Sequence, residues 1–261
     1  MIRKSLVGIG VLVLAFAGAT AQAQGTPQGQ LWYVHQEMAK PSMLAEWNAT
    51  TLEVMQLAAK VKAPTLMKGV VLEGDDLTFT FAAPIQGFAG IAALNADFEL
   101  MAKGDPKAFA DLMKRGYAPV ESVREFILEE HADLSYVPAK PSFKPEEARF
   151  YHYDLYYLMP GHEEDAAAIA RDFVALCKAK GIGQGYRIFT VVSGPDMPAL
   201  IVEVPARDGA DYYTTDAAVR VALGDAGKAL FGRAFAITRR LEHRNAMMRA
   251  DLSPALWPQG K

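Results

Sequence analysis

Two runs, Leu31–Met38 and Phe150–Leu158, are dense in aromatic and aliphatic residues and read as strands. Behind each comes a stretch with apolar positions near a 3.6-residue period. Leu44, Trp47, Leu52, Met55 and Ala59 predict a helix from about Ser42 to Lys62. Glu163 to Lys180 predicts its counterpart. That segment places acidic residues in its first turn, where the helix dipole favours them, and Gly181 and Gly183 stop it. Two strands then predict a hairpin in each half: Leu66–Leu72 with Leu77–Ala82, and Tyr186–Val192 with Ala199–Val204. A second helical region and a last strand follow, ending near Asp133-Leu134-Ser135 and near Asp251-Leu252-Ser253.

The halves match in register as well as in order. At an offset of 119, Leu31-Trp32-Tyr33-Val34-His35 lies over Phe150-Tyr151-His152-Tyr153-Asp154. Pro41 meets Pro160, Val54 meets Phe173, Leu57 meets Leu176 and Lys68 meets Arg187. The first gap falls at a turn, where Gly74-Asp75-Asp76 faces the longer Ser193–Pro198. Gly104-Asp105 then answers Gly224-Asp225. A unit this long, present twice, is a duplicated domain and not a solenoid.

Each unit has the order β-α-β-β-α-β, the ferredoxin-like arrangement. Its antiparallel sheet carries helices on one face, so the other face needs a cover, and a second copy supplies one. With its strand–Pro–helix opening and its duplication, the chain resembles the dimeric α+β-barrel superfamily. Members include antibiotic-biosynthesis-monooxygenase-like, NIPSNAP-like and EthD-like domains. The resemblance rests on pattern and implies an α+β fold: two tandem ferredoxin-like repeats packed as one pseudo-dimeric barrel. It implies no single activity, since members include cofactor-free oxygenases, isomerases and haem-handling proteins.

Ahead of the repeats, Arg3 and Lys4 precede an apolar run from Leu6 to Ala17, and Ala21-Gln22-Ala23 has the small-residue form of a cleavage site. Residues 1–23 therefore read as a secretory signal peptide, since about 12 apolar residues are too few to span a bilayer. Residues 24–30 read as a disordered leader, 31–138 as the first repeat, 139–148 as a proline-bearing linker, 149–254 as the second repeat and 255–261 as a tail. A periplasmic location, reached by the Sec route, follows as an expectation.

Composition narrows the partners. The full chain has 27 basic and 30 acidic residues; removing residues 1–23 takes two bases and no acid, moving the net charge from −3 to −5. A mildly acidic chain without a basic stripe argues against nucleic acid. No later stretch predicts a membrane span. Cys177 is the single cysteine, so no disulfide closes within the chain and an apolar core must hold the fold. Its place in a helical pattern predicts a buried, inert thiol.

Standard catalytic signatures fail. Gly181-Ile182-Gly183-Gln184-Gly185 lacks the dinucleotide-binding spacing and precedes a strand, and Gly227-Lys228-Ala229 lacks the rest of a phosphate loop. No zincin, nucleophile-elbow or serine–lysine motif occurs. What remains is the first strand of each repeat. Side chains alternate between faces, so Tyr33, His35 and Glu37 share one face, and His152, Asp154 and Tyr156 share the equivalent one. Imidazole near neutrality can hold or release a proton. His152, Asp154, Tyr156 and His35 are therefore the candidate catalytic residues, and hydrogen bonding along a barrel seam is the alternative role. Tyr33, Glu37, Trp47 and Tyr212 are the candidate ligand contacts. Copy two has Ala166 where copy one has Trp47, which predicts free volume in repeat two and places any site there. His131, His162 and His243 are expected at the surface. No metal and no cofactor is assigned.

The function expected is an exported barrel that binds a small, fairly apolar or aromatic ligand, with a homo-oligomer possible. The rivals are a cofactor-independent oxygenase, isomerase or cyclase acting on an aromatic or polyketide-like compound, and a structural protein with a fully packed barrel.

Overall fold

In the computed structural model, residues 29–256 are described; the expected signal peptide, nearly all of the leader and most of the tail lie outside them. The first repeat runs β1 (Gln30–Ala39), α1 (Leu44–Val61), β2 (Val70–Gly74), β3 (Thr78–Ile85), α2 (Ala89–Gly104), α3 (Pro106–Gly116) and β4 (Val120–Glu130). The second runs β5 (Phe150–Leu158), α4 (Glu163–Lys180), β6 (Arg187–Ser193), β7 (Ala199–Ala206), α5 (Gly209–Ala236) and β8 (Thr238–Met248). Eight antiparallel strands close into a barrel in the order β1-β3-β2-β8-β5-β7-β6-β4. Each repeat contributes the ferredoxin-like order of four, and the seams are β2 with β8 and β4 with β6. Closure removes the exposed edges that two open sheets would carry.

The duplication is visible in the element ends. Helices α1 and α4 each have 18 residues and start 119 positions apart. Both end on a left-handed residue, Lys62 and Gly181, whose amide bonds back to the last turn. Gly104 ends α2, where a Cβ would press to 2.6 Å from Val61. Its counterpart Gly224 has φ 57° and breaks α5 into two segments.

Two local expectations need correcting. Pro41–Met43 forms a 3-10 turn ahead of α1. Leu66–Lys68 is likewise a 3-10 turn and not the start of a strand. The cause is Asp97, buried on α2, whose carboxylate accepts from the amides of Thr65 and Leu66 at 2.7 Å each. With those amides taken, pairing can begin only at Val70.

The repeated Asp-Leu-Ser segment has a structural reason. Past β4, Leu134 enters the apolar core of repeat two beside Tyr156 and Ile188, and Ser135 Oγ accepts from the Ile188 amide at 2.9 Å. Past β8, Leu252 enters the core of repeat one beside Trp47 and Phe79, and Ser253 Oγ accepts from the Val71 amide at 2.8 Å. Each repeat thus closes the hairpin of the other with its own arm. No helix among the described residues is long and apolar enough to cross a membrane.

Candidate functional site

Pairing of β5 with β8 builds a polar cluster on the helix-facing side of repeat two. His152 lies opposite Asn245, and Asp154 opposite His243. Asp154 Oδ1 meets both imidazoles, His152 Nε2 at 3.1 Å and His243 Nδ1 at 2.5 Å. His152 is only 7% exposed, so both its nitrogens need partners; Nδ1 meets Asn245 Oδ1 at 2.8 Å. Tyr212, from the first turn of α5, stacks on the imidazole with ring centroids 4.4 Å apart. Burial disfavours the His152 cation, but hydrogen bonds to Asp154 and Asn245 and the Asp154 charge outweigh it and raise the pKa. Burial likewise opposes the Asp154 anion, and the two histidines prevail and lower its pKa.

The cluster closes one end of a cavity of about 150 Å³ between the sheet and the helices α4 and α5. Asp154, Tyr156, Tyr212, Gln184 and the Arg220–Asp216 pair are among its polar residues, and Ala166, Ile169, Phe173, Leu200 and Phe231 belong to its apolar walls. Tyr186 also lines it, with a buried hydroxyl that has no hydrogen-bond partner among the described residues. Burial raises the Tyr156, Tyr186 and Tyr212 pKa values, keeping the phenols neutral. Cys177 borders the same space, and burial pushes its thiol up to about 11, so it is no nucleophile at neutral pH.

Repeat one uses the matching positions differently. His35 sits between Glu37 and Glu125, 3.1 Å from each. Tyr33 Oη donates to Glu125 at 2.7 Å, and Trp47 Nε1 donates to Glu37 at 2.7 Å. Here an imidazole is held by two carboxylates, whereas in repeat two a carboxylate is held by two imidazoles. Trp47 is buried, stacks on Phe79 with centroids 3.6 Å apart, and occupies the space under α1. Tyr33, His35, Glu37 and Trp47 therefore form a separate cluster and border neither cavity described here.

The barrel interior is not fully packed. It encloses a second cavity of about 530 Å³, walled by Trp32, Tyr151, Tyr153, Tyr157 and Phe189. Arg187 projects into it, paired with buried Glu203 at 2.6 Å, while Tyr153 Oη donates to Glu203 at 3.0 Å.

Comparison with known proteins agrees with this architecture. No family model matches the chain, and no curated protein is significantly similar to it in sequence. Solved structures do match. One is an anthrone oxidase-like protein, 11% identical, aligned over 85% of this chain and 93% of its own, with a TM-score of 0.53. Another is a candidate monooxygenase from Lactobacillus acidophilus, 8% identical, over 85% and 94%, with a TM-score of 0.51. A mutant chlorite dismutase from Candidatus Nitrospira defluvii aligns over 87% and 96% at 8% identity, with a TM-score of 0.50. At these identities the likeness shows the fold alone, a closed eight-stranded α+β barrel of two ferredoxin-like repeats.

Within this α+β barrel, two features were missed or underweighted in the sequence. His243 is exposed, as expected, yet it bonds Asp154 across the strand pair. Its signal was available: the Asp-Leu-Ser match puts His243 at the position of Glu125, opposite the first strand of its repeat. The wide barrel cavity left no comparable signal, because strand faces that line a void read like strand faces that fill a core. His131 and His162 are both half-buried; His131 meets Thr190 Oγ1 at 2.8 Å and His162 pairs with Asp165.

Proposed function

We propose that this is an exported protein that binds a small, largely apolar ring compound in the helix-covered cavity of repeat two. One observation carries the reading: a cavity of about 150 Å³ with mainly apolar walls ends on Asp154, at the place where Trp47 fills repeat one. A dry cavity of about 150 Å³ accepts a molecule near the size of benzene. Asp154 and the unpartnered Tyr186 hydroxyl would select a ring bearing a hydroxyl or an amine. Export rests on residues 1–23 and fits a scavenging or carrier role outside the cytoplasm.

The test is solvent extraction and mass spectrometry of protein recovered from the periplasm. A single small aromatic compound near one per chain is expected, on a chain that begins near Gln24. A chain beginning at Met1 would overturn the export reading. Failure to retain or rebind phenol, aniline or indole would overturn the binding reading.

A second reading is an enzyme, favoured by the His152–Asp154 contact beside the cavity. Among the fold neighbours are an anthrone oxidase-like protein and candidate monooxygenases, which suits cofactor-free oxygenation of an aromatic compound with His152 moving the proton. Oxygen uptake with phenolic substrates that disappears in His152→Ala separates this reading from simple binding.

A further inference from the structure

We propose that His152, Asp154 and His243 form a binding site for one divalent transition-metal ion of the zinc(II) or iron(II) type. Their potential ligand atoms all lie within 4.8 Å of one another. Two come from one face of β5, and the third from the β8 residue directly opposite Asp154, so the sheet itself sets the spacing. Two imidazoles and one carboxylate are a donor set that suits zinc and iron(II). For metal–ligand bonds of about 2.0–2.1 Å, a tetrahedral site separates its ligand atoms by about 3.3 Å. The 3.1 Å between His152 Nε2 and Asp154 Oδ1 is already close to that. His243 must draw back from its hydrogen bond to Asp154, and its exposed side chain has room to do so.

The tautomer of His152 is the stronger argument. Asn245 Nδ2 donates to Asp75 Oδ2 at 3.0 Å and to Tyr213 Oη at 3.2 Å. Those two contacts assign the amide, leaving Asn245 Oδ1 to face His152 Nδ1 at 2.8 Å. A carbonyl oxygen only accepts, so Nδ1 carries a proton. In the neutral imidazole Nε2 then presents a lone pair to a carboxylate oxygen that also presents one. A positive centre must lie between them, either a second proton or a metal ion. Holding the far nitrogen of a histidine by a hydrogen bond is how metal sites fix the liganding one.

Repeat one supplies an internal control. The matching positions there hold Tyr33, His35 and Glu125, a single imidazole beside one carboxylate to which Tyr33 already donates. The site also stands apart from the ring-binding reading, since Asp154 is the one residue that the cluster shares with the apolar cavity.

The experiment is calorimetric titration of chelator-treated, tag-free protein with zinc(II), with cobalt(II) titrated in parallel and followed by its visible absorption. One ion per chain is expected, with a raised melting temperature and a cobalt spectrum of low symmetry. His243→Ala should weaken zinc binding at least 10-fold while melting like the parent without metal. Asn245→Leu, which releases the His152 tautomer, should weaken it about 10- to 100-fold. His35→Ala should leave it unchanged. Absence of one-to-one binding overturns the proposal and leaves a proton as the positive centre. So does equal zinc affinity in the parent and in His243→Ala.

Discussion

Trp47→Ala should empty in repeat one the space that Ala166 leaves open in repeat two. The indole is 3% exposed and packs with Ala39, Met55, Val71, Phe79 and Leu252. Truncating a buried tryptophan costs about 3–5 kcal/mol, from lost transfer energy and from the void left behind. The stack on Phe79 and the 2.7 Å bond to Glu37 vanish with it, which argues for the upper half of that range. At about 2–4 °C per kcal/mol for a domain of this size, the melting temperature should fall by roughly 8–20 °C. Circular dichroism melts and urea unfolding report this directly. Indole at 100 times its dissociation constant for the emptied site should then add about 2.7 kcal/mol beyond what it adds to the parent. A loss under about 1 kcal/mol, or a mutant that gains no more from indole than the parent does, would refute the placement of Trp47 as the group that closes this half of the molecule.

Two further outcomes follow from buried charge. Burial opposes the His35 cation, but Glu37 and Glu125 prevail and raise its folded pKa. A raised pKa contributes stability that is full below the unfolded value of about 6.5 and is lost as pH climbs through the folded value. The stability gap between the parent and His35→Gln in urea should therefore be widest at pH 5.5 and narrower at pH 9; a gap that grows with pH contradicts the assignment. Arg187→Met should lower stability by on the order of 3 kcal/mol, because it strands Glu203, whose side chain is 6% exposed, in the barrel. Arg187→Met with Glu203→Leu should recover much of that loss, and a double variant no better than the single one argues against a stranded charge.

Much of the fold was legible because its signals are local. Helical period, caps and turn positions are written within some twenty residues, and the match at an offset of 119 repeated them. The α4 boundaries agree at both ends for that reason, while α1 starts at Leu44 after the turn at Pro41–Met43. What escaped depends on distant partners. Asp97, 31 residues beyond Leu66, decides that Leu66–Lys68 turns and does not pair. The Asp-Leu-Ser match was visible, but its exchange between repeats needs the closed barrel. The His152–Asp154 contact was anticipated from strand alternation alone. The link from His243 to Asp154 depends on the register of β5 and β8, strands separated by α4, β6, β7 and α5.

Ala166→Trp tests the cavity of repeat two most directly. Calorimetric titration of the parent with indole and with phenol should give one site per chain. Ala166→Trp should fold, melt no lower than the parent by more than the few degrees that overpacking costs, and bind neither ring. A variant that folds with its cavity filled and still binds phenol as the parent does would contradict the placement of the site.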